Sequence, residues 1–190
     1  MQVFRSKFAQ VSAVVTALVL LAVLAGIWAA EGFWSFAVSV PPVALVVFVV
    51  AILYFYPRVE VDEGGVRIVN VVRTHYISWG AIEVVDTKYA LSIQALGKKY
   101  TAWGAPAPGR HSAIFASRDQ GQHLPESTYL AGTVRPGDLV TSDSGAAAAH
   151  IRRIWEQRRE NPGAASVSST WHFRKLIGLT ALVVASAFVL

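Results

Sequence analysis

Hydrophobic and polar positions divide the chain into two kinds of sequence. Two nearly uninterrupted apolar runs, Ala9 to Ala30 and Trp34 to Tyr56, lie near the amino terminus, and a third covers Leu176 to Leu190. Residues 57 to 103 instead alternate apolar with polar side chains, which is typical of half-buried β-strands. The pattern therefore predicts apolar helices at both ends of the chain and a small antiparallel sheet between them.

The first two apolar runs are long enough for transmembrane helices, because a helix rises about 1.5 Å per residue and the hydrocarbon core is about 30 Å thick. We predict a hairpin in residues 1–56, with helices at about 9–30 and 34–56. The second helix either begins near Pro41-Pro42 or kinks there.

A cleavable signal peptide is the rival interpretation of the first run. Two features disfavour it. The apolar core is longer than that of a usual signal sequence, and cleavage after Ala30 would place the large Trp28 where a small residue is expected. We therefore expect this segment to be retained as a helix.

The carboxyl-terminal run, 176–190, has 15 residues, which is short for a straight crossing. Trp171 and Phe173 lengthen it at the interface. We predict a third membrane helix here, joined to the central region by a linker at 161–175, and we interpret Ala164 to Thr170 as a Ser-rich tether.

Charge placement predicts the orientation. With the amino terminus in the cytoplasm, all 17 Lys and Arg residues lie on the cytoplasmic side, and Glu31 is the one charged residue outside. This distribution matches the positive-inside rule. The prediction is a multi-pass plasma-membrane protein whose central domain is cytoplasmic.

The central domain, residues 57–160, is predicted as a meander of five or six strands. Glu63-Gly64-Gly65, Arg73-Thr74 and Gly97-Lys98 supply turns, and Trp79-Gly80-Ala81 interrupts the pairing. The predicted strands are Arg58 to Asp62, Val66 to Val72, His75 to Ser78, Ile82 to Asp86, one with Tyr89, Leu91, Ile93 and Ala95 on one face, and Lys99 to Trp103.

A long Pro- and Gly-rich segment, 104–143, follows the strands. Its apolar islands at 113–116 and 129–134 could add a strand pair, or the segment could be a docking loop. A helix is then predicted over 144–160 with Ser144 as its cap. Ala147, Ile151, Ile154 and Trp155 share one face of this helix, and Arg152, Arg153, Glu156 and Arg159 lie elsewhere.

Composition agrees with a membrane protein. Hydrophobic residues make up 54% of the chain, charged residues only 15%, and the mean hydropathy is +0.44. The absence of cysteine excludes disulfides, thiolate zinc sites and cysteine-ligated iron–sulfur clusters.

No pattern of catalytic residues stands out, so we predict a protein that is not an enzyme and that binds no cofactor, metal or small-molecule substrate. The five histidines are scattered without metal-ligand spacing, and no glycine-rich loop has the spacing of a phosphate cradle. The apolar runs contain no ionisable residues, which argues against a transporter.

One stretch resembles a known family. YPRVEVDEGGVRIVN, followed by Ser78-Trp79-Gly80, Ile82-Glu83 and Trp103-Gly104-Ala105-Pro106, is similar to the actinobacterial membrane-anchored bacterial pleckstrin-homology (PH)-like domains of the low-molecular-weight antigen type. The likeness covers about residues 40 to 110. It implies a seven-stranded bent sheet or partial barrel closed by a helix, attached to a two-helix hairpin in an actinobacterial plasma membrane. The predicted fold class is thus membrane α plus a small, mostly β domain.

Two binding functions remain. The first is an accessory or scaffolding subunit of a membrane protein complex, with an actinobacterial respiratory supercomplex as a candidate, since such assemblies carry small subunits of this kind. Its partners would be integral membrane proteins. Small residues at helical spacing support helix packing, namely Ala13, Ala17, Ala22, Gly26, Gly178, Ala181 and Ala185.

The second is recognition of anionic lipid headgroups in the bilayer. Residues 57 to 170 hold all but four of the 17 basic residues and all but one of the 12 acidic residues, so their net charge is weak. Arg73, Lys98 and Lys99, which lie near predicted hairpin turns, could still form a local basic patch. Nucleic acid binding is not expected, because nearby acids balance the basic pairs and no stacking platform is evident.

Overall fold

The computed structural model describes residues 1–107, 136–139 and 142–189. The chain forms two compact units: a β unit of Met1–Ser6 and Pro57–Thr170, and a helical unit of Lys7–Tyr56 and Trp171–Leu190. The elements are β1 Gln2–Phe4, α1 Lys7–Glu31, α2 Phe33–Val50, β2 Arg58–Val61, β3 Gly65–Val69, β4 Arg73–Ser78, β5 Ile82–Asp86, β6 Ala90–Ala95, β7 Lys98–Pro106, α3 Asp143–Gln157, β8 Val167–Trp171 and α4 Phe173–Ala187.

The β unit contains two sheets. The first has the strand order β1-β2-β3-β4-β8 and the second the order β5-β6-β7. The pairs from β1 to β4, and those within the second sheet, are antiparallel. The β8 strand also runs antiparallel to β4, because Ser78 N donates to Ser166 O at 3.0 Å while the His75 ring meets the Ser169 hydroxyl at 2.6 Å.

Six strands lie in the region where alternation predicts five or six. Several strand boundaries differ from the prediction, most of all at the end of β3 and at the end of β7. The second predicted strand ends at Val69 instead of Val72, and the central residues of the reversal are Val71 and Val72, two residues earlier than Arg73-Thr74. Leu91, Ile93 and Ala95 share one face as predicted, and this face is buried, whereas Tyr89 precedes β6 and is 79% exposed. Tyr89 therefore does not share the buried face.

Aliphatic side chains from both sheets and α3 form one core around Trp79. The Trp79 side chain is 1% exposed, and its indole N–H donates to the Glu63 carbonyl at 3.0 Å. Gly80 is tightly placed, since a Cβ there would lie 2.4 Å from the Gly163 carbonyl oxygen. Trp79 thus fills the core, and the lack of a side chain at Gly80 leaves room for the backbone at Gly163. Buried around Trp79 are Val59, Val66, Ile68, Ile77, Leu91, Ile93 and Ile151.

Two strands of the first sheet were not predicted. Gln2–Phe4 extends one edge as β1, with Phe4 opposite Val59, and Val167–Trp171 extends the other edge as β8. The predicted linker 161–175 and its Ser-rich tether are therefore wrong over β8. With these edges, the described part of the β unit has eight strands instead of the seven that the resemblance implies.

Helix α3 closes the core, although it begins and ends earlier than predicted. Its cap is Ser142 instead of Ser144, because the Ser142 hydroxyl accepts from Gly145 N at 2.9 Å. Ser144 is instead buried in the first turn, where its hydroxyl donates to the Gly137 carbonyl at 2.9 Å. The helix ends at Gln157.

Arg152 was predicted away from the apolar face of α3, but it is 6% exposed. Its guanidinium donates to Asp138 Oδ1 at 2.9 Å and to the Val85 carbonyl at 2.8 Å. Thr87 also donates to Asp138 Oδ1, at 2.7 Å. This buried network fixes the segment 136–139 against β5 and α3. Of the predicted loop 104–143, residues 104–106 belong to β7, and the apolar islands at 113–116 and 129–134 lie outside the described residues.

The helical unit is built of α1, α2 and α4. The helix at α2 starts at Phe33, passes through Pro41-Pro42 without starting there, and continues as a π-helical segment, Ala51–Phe55. Lys7–Glu31 and Phe33–Phe55 are long and apolar enough to cross a membrane. Helix α4 has 15 residues, and the Cβ that Gly178 lacks would lie 3.3 Å from the Phe48 ring of α2. Helix α2 therefore packs on both α1 and α4.

Candidate interaction surface

Three chain connections leave the first sheet at the same end. Strand β1 finishes where β2 starts, because Phe4 pairs with Val59. Strand β8 runs antiparallel to β4, so it finishes beside Arg73, where β4 starts. We call this the exit end of the β unit. Each of the three strands is separated from an apolar helical segment by at most two residues of chain.

The β3–β4 turn lies at the exit end and has an apolar tip. Asn70 N donates to the Arg73 carbonyl at 2.9 Å, so Val71 and Val72 are the two central residues of the turn. Val72 is 39% exposed. Such turns usually carry Gly, Asn, Asp, Ser or Pro, and β-branched apolar residues are uncommon there. The composition of this tip is therefore unusual for a turn surrounded by water.

Strand β7 is attached to the same turn. The Asn70 side chain donates to the Thr101 carbonyl at 2.8 Å, and its Oδ1 accepts from Trp103 N at 2.9 Å. A Cβ at Gly104 would lie 2.6 Å from Arg58 N, at the start of β2. These contacts hold the middle of β7 across the exit end. The Trp103 side chain remains 59% exposed. We define Val72, Arg73 and Trp103 as the exit-end surface.

The predicted basic residues lie on two hairpins. Arg73 opens β4 at the exit end, whereas Lys98 and Lys99 begin β7 after its turn with β6. The Lys99 ammonium is 3.3 Å from Asp86 Oδ2, which offsets its charge. Lys98 is exposed and forms no ion pair with any residue that the structure describes. Lys98 is thus the more available of the two lysines for an anion.

The β6–β7 turn itself has a strained apolar residue. Leu96 has φ of 48° and is 55% exposed, and Gly97 follows with φ of 72°. Two successive positive φ values give the tight hairpin turn that follows the strand twist, but a leucine in this conformation is uncommon. The Gly97 amide donates to the Glu83 carboxylate at 2.9 Å and helps to hold the turn.

His75 lies between two strands near the exit end. Its ring meets the Ser169 hydroxyl of β8 at 2.6 Å, and its centroid is 5.0 Å from that of Tyr100 in β7. Burial, and secondarily the positive charge of Arg73, lower the pKa of His75. The neutral form of the ring is therefore favoured, and this form adds no charge to that of Arg73.

The predicted helix-packing residues of α1 divide between two faces. Ala13 is buried, and with Ala17 it lines a small apolar groove closed on the other side by Val47, Ala51 and Phe55. These two alanines pack within the chain.

Ala22 and Gly26 lie on an exposed face of α1, and a Cβ at Gly26 would meet nothing within 4 Å. In α4, Gly178 packs against α2 and Ala185 is half-buried, whereas Ala181 is exposed. Only part of the predicted set is therefore available for other helices.

Apolar side chains cover the outside of α1 and α2. Leu18, Val19 and Leu21 are between 56% and 60% exposed, and Trp34 is 78% exposed. Such surfaces are rare on soluble monomers and typical of membrane or protein contacts. The two apolar amino-terminal helices thus suggest membrane association.

The geometry has a counterpart in a known family. A family described as Bacterial PH domain matches residues 56–154, just over half of the 190-residue chain. The chain belongs to the bacterial PH domain family. The PH domain comprises β2 to β7, where the sequence resemblance lies, and most of α3, which closes the core. The family indicates a module that binds proteins or lipids. Comparisons with curated proteins and with solved structures gave no match.

The sequence signal for the exit-end surface was weaker than that for the basic residues. Trp103 ends an alternating strand, where an apolar residue is expected to be buried, and Val72 was assigned to a strand. The one available signal was the pair Val71-Val72 directly before Arg73 at a chain reversal. The exposed position of Trp103 depends on Asn70, a contact across 33 residues, which no local pattern predicts.

Proposed function

We propose that this chain is a non-catalytic, membrane-anchored accessory or scaffolding subunit of a plasma-membrane protein complex. Its hairpin anchors the PH domain, and its exposed helix faces bind other integral membrane proteins. The observation that carries the proposal is the attachment of a PH domain to two membrane-length helices with apolar exteriors.

The exposed face of α1 supports partner binding. Ala22 and Gly26 are one helical turn apart, and there is open space around Gly26. In membranes, small residues at this spacing let two helix backbones approach closely, which favours van der Waals packing. The adjacent Val23, which is 48% exposed, offers a matched position with a larger side chain.

The test is purification of the tagged full-length chain in mild detergent, followed by mass spectrometry. We expect stoichiometric membrane proteins to copurify with the natural chain and with Val23→Leu, but to be lost from Gly26→Leu, because the added side chain blocks close approach. Equal recovery with both variants would contradict helix packing at Gly26. Recovery of the chain alone would contradict the accessory role.

The orientation and the third span belong to the same proposal. We propose that α1, α2 and α4 all enter the membrane, with the amino terminus and the PH domain in the cytoplasm, because this placement retains every basic residue there. The proposed host assembly is an actinobacterial respiratory supercomplex, to which the chain would contribute structure and no electron carrier.

Recognition of anionic headgroups is a second candidate function. It is favoured by Lys98, which is exposed and has no ionic partner in the described residues, next to Lys99. The Lys98→Glu/Lys99→Glu variant should then lose binding to anionic liposomes but keep binding to partner proteins. If binding to anionic liposomes is unchanged by this charge reversal, the lysines are not a headgroup site.

A further inference from the structure

We infer that the exit end of the PH domain contacts the lipid bilayer itself, with Val72 and Trp103 in the headgroup region. This inference rests on the membrane anchoring proposed above. It differs from headgroup recognition, because the contact is apolar and aromatic and does not require anionic lipid.

The first argument is connection length. Two residues, Arg5 and Ser6, join β1 to α1. Tyr56 and Pro57 join the π-helical segment to β2, and His172 alone separates β8 from α4. Consecutive Cα atoms are about 3.8 Å apart, so two intervening residues allow at most about 11 Å between the flanking elements. If the helices enter the bilayer, the exit end is held near its surface by three short connections.

The second argument compares the two ends of strand β3. The far end has the β2–β3 turn, where the Asp62 carboxylate accepts from Gly64 N and Gly65 N, both at 2.9 Å, and Glu63 is exposed. This is the polar chemistry expected of a turn in water. The turn at the exit end has Val71 and Val72 in the equivalent place. The sheet is therefore polar at one tip and apolar at the other, and the apolar tip is the one next to the membrane connections.

The third argument is Trp103. Its side chain is 59% exposed, although its backbone is fixed by Asn70. Tryptophan favours the membrane interface because it has an apolar body and one polar N–H. Arg73, the first residue of β4 at the same end of the sheet, can keep its guanidinium among phosphates while its stem lies along apolar surface. These three side chains thus match the headgroup region better than they match water.

The chain has no cysteine, so single labels can be introduced without background. In the experiment, Val72→Cys and the matched tip variant Glu63→Cys are labelled with an environment-sensitive fluorophore. A third variant, Val19→Cys, places the label on the exposed face of α1. Each full-length protein is reconstituted in vesicles of zwitterionic phosphatidylcholine containing nitroxide-labelled lipid.

We expect a blue-shifted label at position 72 that loses most of its fluorescence to a nitroxide placed just below the headgroups. The label at position 63 should be unaffected by that lipid and accessible to aqueous iodide. Interfacial groups lie about 5–10 Å into the headgroup and acyl boundary, so a shallow nitroxide should quench position 72 better than a deep one.

The position 19 label separates two kinds of failure. If a deep nitroxide quenches position 19 while position 72 behaves like position 63, anchoring holds and the present inference is wrong. If position 19 is also accessible to iodide, the proposed anchoring itself fails. If position 72 is shielded from iodide in native membranes but exposed in the vesicles, a partner protein covers the exit end, and the lipid contact is again wrong.

Discussion

The two units of this protein place their apolar side chains in opposite directions. In the β unit, Trp79, Ile68 and Leu91 are almost completely buried. In α1, Leu18 and Val19 are more than half exposed, and Ala13 and Leu24 are the buried residues of that helix. The same residue types thus follow different rules within one chain. The difference teaches that the β unit buries its apolar side chains, as a domain in water does. The helical unit instead has the apolar exterior expected of a protein surrounded by lipid.

The largest expected effect is on the core of the β unit, and Trp79→Ala tests it. We expect it to lower the free energy of unfolding by about 3–5 kcal/mol, because it leaves a large cavity and removes the hydrogen bond to Glu63. The exposed Trp103→Ala is the matched control, with a change within about 0.5 kcal/mol. Near-ultraviolet circular dichroism of the full chain during denaturant unfolding in detergent measures both. Similar losses for the two tryptophans would contradict the assigned core.

The buried ion pair between Arg152 and Asp138 tests whether the β unit also depends on its buried polar contacts. Arg152→Met should destabilise the protein by about 3–5 kcal/mol, since it leaves the Asp138 carboxylate buried without its cation. Arg153→Met, at the next position and exposed, should have little effect.

Asp138→Asn added to Arg152→Met should recover part of the stability, because no isolated charge then remains. The same denaturant titration checks all three variants. A double variant as unstable as Arg152→Met would indicate that packing dominates over charge.

A charge placed on each surface sharpens the comparison between the units. Val19 of α1 is 56% exposed and Val84 of β5 is 49% exposed. Val19→Arg should impair membrane insertion by about 3 kcal/mol, because arginine at the centre of a membrane helix is costly. Val84→Arg should change the stability by no more than about 0.5 kcal/mol. The fraction of protein that resists alkaline extraction from membranes is the readout, and equal behaviour would contradict different surroundings.

The smallest expected effect concerns pH. Burial and Arg73 lower the pKa of His75 below its ordinary value of 6.5, while Ser169 and Tyr100 contact the ring without adding charge. The unfolded chain therefore takes up the proton first. The contribution of His75 to the free energy of unfolding is fully present above pH 6.5. It is lost as the pH falls from there through the lowered pKa of the folded protein.

His75→Gln should weaken this dependence. Thermal unfolding of the full chain between pH 8 and pH 5 measures it, and His75→Gln/His150→Gln should weaken it further, because burial and Arg153 lower the pKa of His150 as well. Identical pH profiles for the natural chain and both variants would exclude this role for the histidines.

Local patterns predicted most of the sheet because its hairpins join neighbouring segments. Alternation and turn residues were sufficient to predict that β2 to β7 exist, and the stretch YPRVEVDEGGVRIVN with the Trp79-Gly80 turn and the strand end at Trp103-Gly104 indicated the family. The edge strands could not be predicted in this way. Gln2–Phe4 has only three residues, and Val167–Trp171 is rich in serine. Both become strands by pairing with residues more than 50 positions away.

Of the candidate interaction residues, the basic ones were predicted from the sequence, whereas Val72 and Trp103 of the exit-end surface were not. Arg73, Lys98 and Lys99 were evident from the sequence, but the ion pair of Lys99 with Asp86 depends on the register of the second sheet. Arg152 was misplaced for a similar reason. A charged residue on a helix is expected in water, and its partner Asp138 lies in a Pro- and Gly-rich segment that gave no sign of being buried. The environments of Lys99 and Arg152 depend on ion pairs that only the three-dimensional fold brings together.

The central claim is that the apolar exterior of the helical unit lies in lipid, while the β unit, apart from the exit-end surface, lies in water. The most direct measurement uses the matched pair Val19→Cys and Val84→Cys, each carrying the same fluorophore in phosphatidylcholine vesicles. We predict that a deep nitroxide lipid quenches the label at position 19 and aqueous iodide does not, with the reverse at position 84. Iodide quenching at both positions would contradict the account.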